Sequence, residues 1–443
     1  VRNKALFLIC AAFLSRAASA QENYPDGNLS GRAFANLYDP TRESGGKKFQ
    51  QASASLWLQG DARVSEFLSA RAIYQGDFFE GKESRLSGDR DGTHLRNRLR
   101  EGYVEYFKNG FQVRAGKQII PWGKSDGINP TDFLSAKESN ILNHDSEVTR
   151  VAGTSLLGSF TPNRGSSPWN FTVVAQPYFP ESNCLVPPTA LPSGVFLTET
   201  QKPERNLKNT EFAGKVAYAG QGWDSSLSYF YGYEHRPEFA EVSHTVVSPS
   251  LTLITLTRKF QRIKAVGADA SYSHGDWVYR IESAYTWTEN DHGRNPLITP
   301  SHWDAVLGLE RPILDKFRVQ AQFVSRLFPQ YTDPNQAGGA DAVSIAINRQ
   351  IAAANALLQQ YQHRWNPAST LRVSYSSQEH GFGAELLWYQ GFNYGDYYLR
   401  PLASYELAES LKVYLGYDHY GGPKTKTVGS LQSYNALFTE LKY

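Results

Sequence analysis

The sequence predicts an all-β chain folded as a transmembrane antiparallel β-barrel of about eighteen strands, with short periplasmic turns and long external loops. Three observations predict it. First, Phe317-Arg318-Val319-Gln320-Ala321-Gln322-Phe323 alternates apolar and polar residues, which gives a strand one greasy and one wet face. Second, the same alternation recurs from near residue 50 to Tyr443, with no helical interlude until late, and many such strands suit a closed wall with lipid outside and water inside. Third, the 443 residues contain no apolar run of roughly eighteen or more, so no membrane-spanning helix is expected. Only 41% of the residues are hydrophobic yet 13% are aromatic, a balance that suits half-greasy strands carrying Tyr and Trp at the membrane interfaces.

Residues 1–20 read as a secretory signal peptide. Arg2 and Lys4 form its basic start, residues 5–14 its apolar centre, and Ala18-Ser19-Ala20 its cleavage site. Cleavage there removes Arg2, Lys4 and Arg16, and takes the formal net charge from +2 to −1. A nearly neutral chain offers no electrostatic case for nucleic acid. Cys10 leaves with the signal, and Cys184 is then alone. There is no C-x-x-C-H and no zinc-type Cys/His spacing, so neither a cofactor nor a metal site is expected. Residues 21–443 show no linker and read as a single barrel. At the far end Leu437, Thr439, Leu441 and Tyr443 alternate with Phe438, Glu440 and Lys442. This ending resembles the C-terminal strand signal by which bacterial outer-membrane barrels are recognised by their assembly machinery. The resemblance implies that machinery as a partner through Tyr443, with lipid and lipopolysaccharide around the wall. It also implies residence in the outer membrane of a Gram-negative bacterium.

Taken in order, alternation and turn residues place strands at 27–38, 49–59, 62–76, 96–107, 111–119, 147–160, 169–180, 209–219, 223–235, 256–274, 277–290, 302–311, 316–329, 367–378, 381–393, 396–407, 411–421 and 430–443. Sixteen strands is the fallback if the first is not one. Tight turns are expected at Gly60-Asp61, Asn109-Gly110, Gly220-Gln221-Gly222, His274-Gly275, Glu379-His380-Gly381 and Ala408-Glu409-Ser410. Longer polar loops fall near 77–95, 120–146, 181–208, 236–255, 291–301 and 330–366. Alternating short and long connections put the short turns at the periplasmic end. Leu227, Tyr229, Tyr231 and Tyr233 share one face, as do Trp277, Tyr279, Ile281, Tyr285 and Trp287, and these are expected to face lipid. In the long external loop 330–366, Val343, Ile347, Ile351, Ala354 and Leu358 recur at helical spacing. They predict an amphipathic helix that either rests on the barrel rim or acts as a lid.

The opposite faces carry the charges. If Asn109-Gly110 is a two-residue hairpin turn, Glu105 opposes Arg114 and Glu101 falls opposite Gln118. If His274-Gly275 is another, Asp269 opposes Arg280 and Gly267 opposes Glu282. These residues, with Arg318, Gln320 and Gln322, are the candidate pore lining; Arg71, Lys215, Arg326, Arg372, Arg400, Lys412 and Asp418 land on the same faces. They read either as a charged channel that filters solutes or as a ladder of ion pairs that stiffens the wall. The run from Arg114 to Asp126, continuing through Asn129-Pro130-Thr131-Asp132-Phe133, ends the alternation at Pro121 and supplies Gly123 and Gly127 for tight backbone turns. It opens the third external loop, 120–146, the candidate constriction loop, in which Trp122, Lys124, Asp126 and Asp132 would narrow the lumen. The other reading is a rigid corner that seals the rim.

The same run resembles a large family of proteobacterial outer-membrane proteins of unknown function, which share R-x-G-R-Q-x-x-x-W-G-x-x-D followed by N-P-x-D. Arg114, Gly116, Gln118, Trp122, Gly123, Asp126, Asn129, Pro130 and Asp132 match, and Lys117 stands where the family has Arg. More distantly the chain is similar to alginate-export barrels, which carry a G-R-Q step. The resemblance implies a porin or export role and names no substrate. No G-x-S-x-G, P-loop or H-E-x-x-H is present, so the chain is not expected to be an enzyme. The expected function is a porin-like channel or exporter passing small solutes through a charged lumen. The alternatives are a barrel sheath for a periplasmic partner such as a cytochrome in an electron conduit, or an outer-membrane hydrolase.

Overall fold

A computed structural model of the chain describes residues 26–40, 51–83, 90–138, 148–183, 195–248, 251–377 and 379–443. The expected signal peptide and Cys184 lie outside the described residues. Eighteen strands form one antiparallel sheet. They are β1 (Asp26–Pro40), β2 (Gln51–Arg63), β3 (Leu68–Glu83), β4 (Arg90–Lys108), β5 (Phe111–Gln118), β6 (Gly153–Phe160), β7 (Trp169–Tyr178), β8 (Glu211–Ala219) and β9 (Trp223–Tyr233), then β10 (Arg262–His274), β11 (Trp277–Trp287), β12 (His302–Ile313), β13 (Phe317–Leu327), β14 (Trp365–Ser377), β15 (Phe382–Gly391), β16 (Tyr397–Ala408), β17 (Leu411–Gly421) and β18 (Ala436–Lys442). Each pairs with its sequence neighbours, and β1 pairs with β18 through Phe34↔Lys442 to Pro40↔Ala436, which closes the ring. Closure leaves no strand edge, so the backbone is satisfied within the wall.

The outer face is apolar. Leu227, Tyr229, Tyr279, Ile281, Trp287, Leu307, Leu386 and Leu415 are all exposed, whereas their polar neighbours in sequence turn inward. In water such a surface would be a severe liability; in a bilayer it is the solvated face. No helix among the described residues is long and apolar enough to cross a membrane, and the chain spans it with strands.

Two turns differ from expectation, and each moves register. At Asn109-Gly110 both residues have positive φ (53° and 84°), and the pairing Glu105↔Arg114 follows as predicted. At the next hairpin the central residues are Gly275-Asp276, not His274-Gly275. Gly275 has φ 56° and occupies the first central position, which is where a II′ turn needs glycine. The pairing therefore shifts by two residues: Asp269 opposes Glu282, Arg280 opposes Ser271, and Gly267 opposes Ala284. The expected turn at Gly60-Asp61 is also displaced. β2 continues to Arg63, and the reversal occurs at residues 64–67, closed by Val64 N–H donating to Leu68 O (2.8 Å). Asp61 then lies opposite Arg71, which it pairs with at 2.5 Å.

The segment 236–255, expected to be a loop, contains most of an external hairpin. Glu238–Ser248 and Leu251–Lys259 pair antiparallel, and Val195–Leu197 adds a parallel third strand. The expected strand 256–274 is thus two strands broken at Phe260-Gln261. Helix α1 (Ala342–Gln359) forms where its spacing predicts, with the Asp341 carboxylate capping Ser344 N–H (2.8 Å) and Gln360 ending it in the left-handed region. Ile347 and Ile351 pack on Val195, Ile254 and Leu256 of the small sheet, so helix and sheet make one external cap. Asn355 is fully buried and fastens the two: Phe239 N–H donates to its Oδ1 (2.8 Å), and its Nδ2 donates to Phe239 O (2.9 Å) and Leu297 O (2.8 Å). Asn355→Leu keeps the volume but strands these backbone groups, at a cost of about 2–4 kcal/mol to the cap. The expected outcome is selective protease cleavage within 342–359 while the barrel stays intact on a gel.

Candidate functional site: a loop across the barrel

The loop after β5 folds inward. Its base is a two-residue ladder, Ala136↔Val151 and Lys137↔Arg150. From there three kinds of contact hold residues 119–135 against the inner wall. The first is apolar: Ile120, Trp122 and Leu134, with Phe133 beside them, pack on Leu157, Val174, Ala213, Phe230, Ile263 and Ala265, inward residues of β6 to β10. Phe133 stacks on Phe230 (5.7 Å between ring centroids, 14° between planes). Burying this set removes apolar surface from luminal water and stabilises the docked loop.

The second contact is Glu282 on β11. This carboxylate is completely buried and accepts from four donors, all on the loop: Lys124 N–H and Ser125 N–H (both 3.0 Å), Thr131 N–H (2.8 Å) and Thr131 Oγ1 (2.8 Å). Charge-assisted bonds to backbone N–H groups are roughly twice as strong as neutral ones. Gly123 makes the approach possible. Its φ is 95°, and a Cβ there would lie 2.6 Å from Glu282 Oε1. On β10, a Cβ at Gly267 would collide with Thr131 Cγ2 (2.7 Å). Gly123→Ala is therefore expected to cost about 1–3 kcal/mol of loop docking. Limited proteolysis would read it as new cleavage within 119–135.

The third contact reaches the far wall. The Gln322 carboxamide on β13, oriented by its neighbours, donates to Asp126 O (3.0 Å) and accepts from Asp126 N–H (2.9 Å). Arg372 on β14 pairs with the Asp126 carboxylate at 2.5 Å. β5 and β14 are separated by half of the eighteen-strand ring in either direction. The loop leaves one wall and is fastened to the wall diametrically opposite.

The remaining expected site residues fall as follows. Glu101 accepts from Ile119 N–H (2.8 Å) at the loop's departure point. Glu105 pairs with Arg114 (2.9 Å), whose guanidinium lies 4.6 Å from the Tyr103 ring. Gln118 is buried and donates to Ser155 O (3.2 Å). Asp269 accepts from Ser226 Oγ, and Lys124 Nζ lies between Asp224 and Asp269. Arg280 pairs with Glu310 (2.6 Å), which Arg318 also approaches (3.4 Å). Trp122 sits in the apolar cluster under Lys215 Nζ. Asp132 accepts from Trp122 N–H (3.2 Å) and Ser135 Oγ (2.7 Å), and burial pushes its carboxyl above the usual range. Glu138, not singled out in the sequence, takes Arg96 and Arg98 of β4. Burial pushes its carboxyl up, but the two guanidiniums outweigh this and hold it below the usual range.

Between the loop and the barrel wall lies a chamber of about 690 Å³. Gly127 to Pro130 floor it, Gln320, Gln322 and Arg372 form one side, and Tyr389, Tyr394, Tyr398 and Tyr420 of β15 to β17 and the segment before β16 form another. Its size is in the range of small-molecule sites.

No family model and no curated protein sequence matches the chain, so the likeness drawn from the run between Arg114 and Asp132 rests on those residues alone. Solved structures do match. The crystal structure of OccAB1 of Acinetobacter baumannii is 8% identical with a TM-score of 0.56, over 94% of this chain and 95% of that one. OccAB4 of the same organism is 8% identical with a TM-score of 0.52, over 96% and 99%. OccD3 (OpdP) of Pseudomonas aeruginosa is 10% identical with a TM-score of 0.50, over 94% and 90%. At these identities the likeness concerns the fold. With the closed ring and apolar exterior, it makes this chain a transmembrane β-barrel of porin-like fold.

Proposed function

We propose that the protein is a channel that lets small solutes cross the outer membrane, narrowed by residues 119–135. The observation that supports this most is the attachment of that loop to opposite walls. A wall needs no internal strut merely to close, whereas a strut of fixed backbone and paired charge sets the width and field of a passage. Lys124 and Asp126 are the charged groups the strut carries, and Arg372 of β14 receives Asp126 on the far wall. A loop across the full diameter also weighs against a sheath for a protein inserted along the axis.

The test is single-channel recording of purified protein in a planar bilayer. The expected result is discrete conductance that rises when residues 123–131 are replaced by a short flexible link. A folded barrel that stays silent, even with both that loop and 330–366 removed, overturns the reading.

A further inference from the structure

We propose that the chamber above the loop is a binding station for an uncharged sugar of mono- or disaccharide size. The proposal deepens the channel reading and rests on it for the solute's route.

The first argument is charge. The chamber's acidic and basic residues are matched: Asp126 pairs with Arg372 (2.5 Å), Asp304 with Arg326 (2.6 and 2.8 Å), and Glu234 with Arg236 (3.4 Å). The remaining two, Asp132 and Lys137, lie within reach of one another's charge at the loop's base, where Arg150 also stands 3.8 Å from Asp132. His235 lies against Glu211 at 3.5 Å. No formal charge is left over for a solute. A charged guest would shed its water and either go uncompensated or break a pair.

The second argument is what the chamber offers instead. Gln320, Tyr389 and Tyr420 line it, and none of their side-chain polar groups makes a hydrogen bond among the described residues. Their neighbours are committed: Tyr398 donates to Asp418 (2.5 Å) and Tyr394 to Asn366. The Tyr398 and Tyr420 rings lie 4.8 Å apart, tilted by 31°, and both line the chamber. Two free phenol hydroxyls and a free carboxamide among aromatic rings match a molecule with hydroxyl edges and C–H faces. That is the chemistry of a pyranose.

Three solutes with one carbon skeleton test this: glucose, gluconate and glucosamine. Binding is read by calorimetry on purified protein in detergent, and passage separately by current block in a bilayer. Glucose is expected to bind saturably, and the two charged analogues roughly tenfold more weakly. Tyr389→Phe with Tyr420→Phe keeps the rings and the fold and removes the hydroxyls; it is expected to weaken glucose binding roughly tenfold. Equal or tighter binding of gluconate or glucosamine overturns the proposal, and so does unchanged glucose binding in the double variant. Binding of phenol but not glucose overturns the sugar assignment. Conduction without glucose preference defeats this inference alone. Glucose binding to a protein that never conducts supports the station and defeats the channel reading alone.

Discussion

Glu282→Ala is expected to release the crossing loop, raising single-channel conductance and exposing residues 119–135 to protease. Four donors converge on this one carboxylate, three of them backbone N–H groups. Removing it strands them, and the loss is about 3–5 kcal/mol of docking free energy. Glu282→Gln retains one acceptor oxygen and the shape but loses the charge, so its effect should be the smaller. The apolar contacts of Trp122 and Phe133 remain in both variants, so the loop should leave the wall part of the time rather than always. Flickering between two current levels is the expected signature, and adding Trp122→Ala should lengthen the higher level. Unchanged current and an unchanged protease pattern in Glu282→Ala would remove Glu282 from the role described.

The second large effect is on pH. Glu238 opens the external hairpin, is buried, and accepts from Thr299 N–H (3.0 Å), Thr299 Oγ1 and Gln261. Burial pushes its carboxyl up from 4.5 to about 7, against those hydrogen bonds, with Glu234 adding to the rise. The sign follows from linkage. The folded cap holds the proton more tightly than the unfolded segment, so the stabilisation is complete below pH 4.5 and is lost as pH rises through about 7. A difference of this size corresponds to ~3 kcal/mol. Hydrogen exchange in 238–259 and 342–359 should therefore accelerate between pH 5 and 8 by more than base catalysis of exchange explains. Glu238→Gln should abolish the excess. Glu234, Arg236, Arg326 and His302 line the same small cavity. A His302→Gln control separates that group from Glu238. Persistence of the excess in Glu238→Gln would assign it elsewhere.

How much of this was legible beforehand depended on the kind of signal. The wall was legible because alternation is a local property: every one of the eighteen expected strands corresponds to a barrel strand. Register depended on turn chemistry. Asn109-Gly110 has one reading, and it gave Glu105 opposite Arg114. His274-Gly275-Asp276 has two, and only the glycine's place in the turn decides between them, so Asp269 was set opposite the wrong partner. The cap hairpin was hidden because alternation does not say which sheet a strand joins. Length does not reveal it either, since β4, like 256–274, runs for nineteen residues and stays one strand. Glu282 was legible as an inward acid but not as the loop's anchor. Three of its four donors are backbone groups more than a hundred residues away in sequence, and no residue type advertises a backbone N–H.

The crossing loop also sets an order of assembly. Its backbone meets Glu282 across 158 positions of sequence, and Asp126 meets Gln322 and Arg372 farther still. None of these partners exists as a wall until β11 to β14 have been laid down, and contacts between such distant segments form late. A nascent barrel therefore holds its strut by the apolar contacts to β6–β10, without its polar fastenings on β11–β14, until late in its construction. The strut is fastened only once the half-ring opposite has arrived, so a docked loop reports a nearly complete wall.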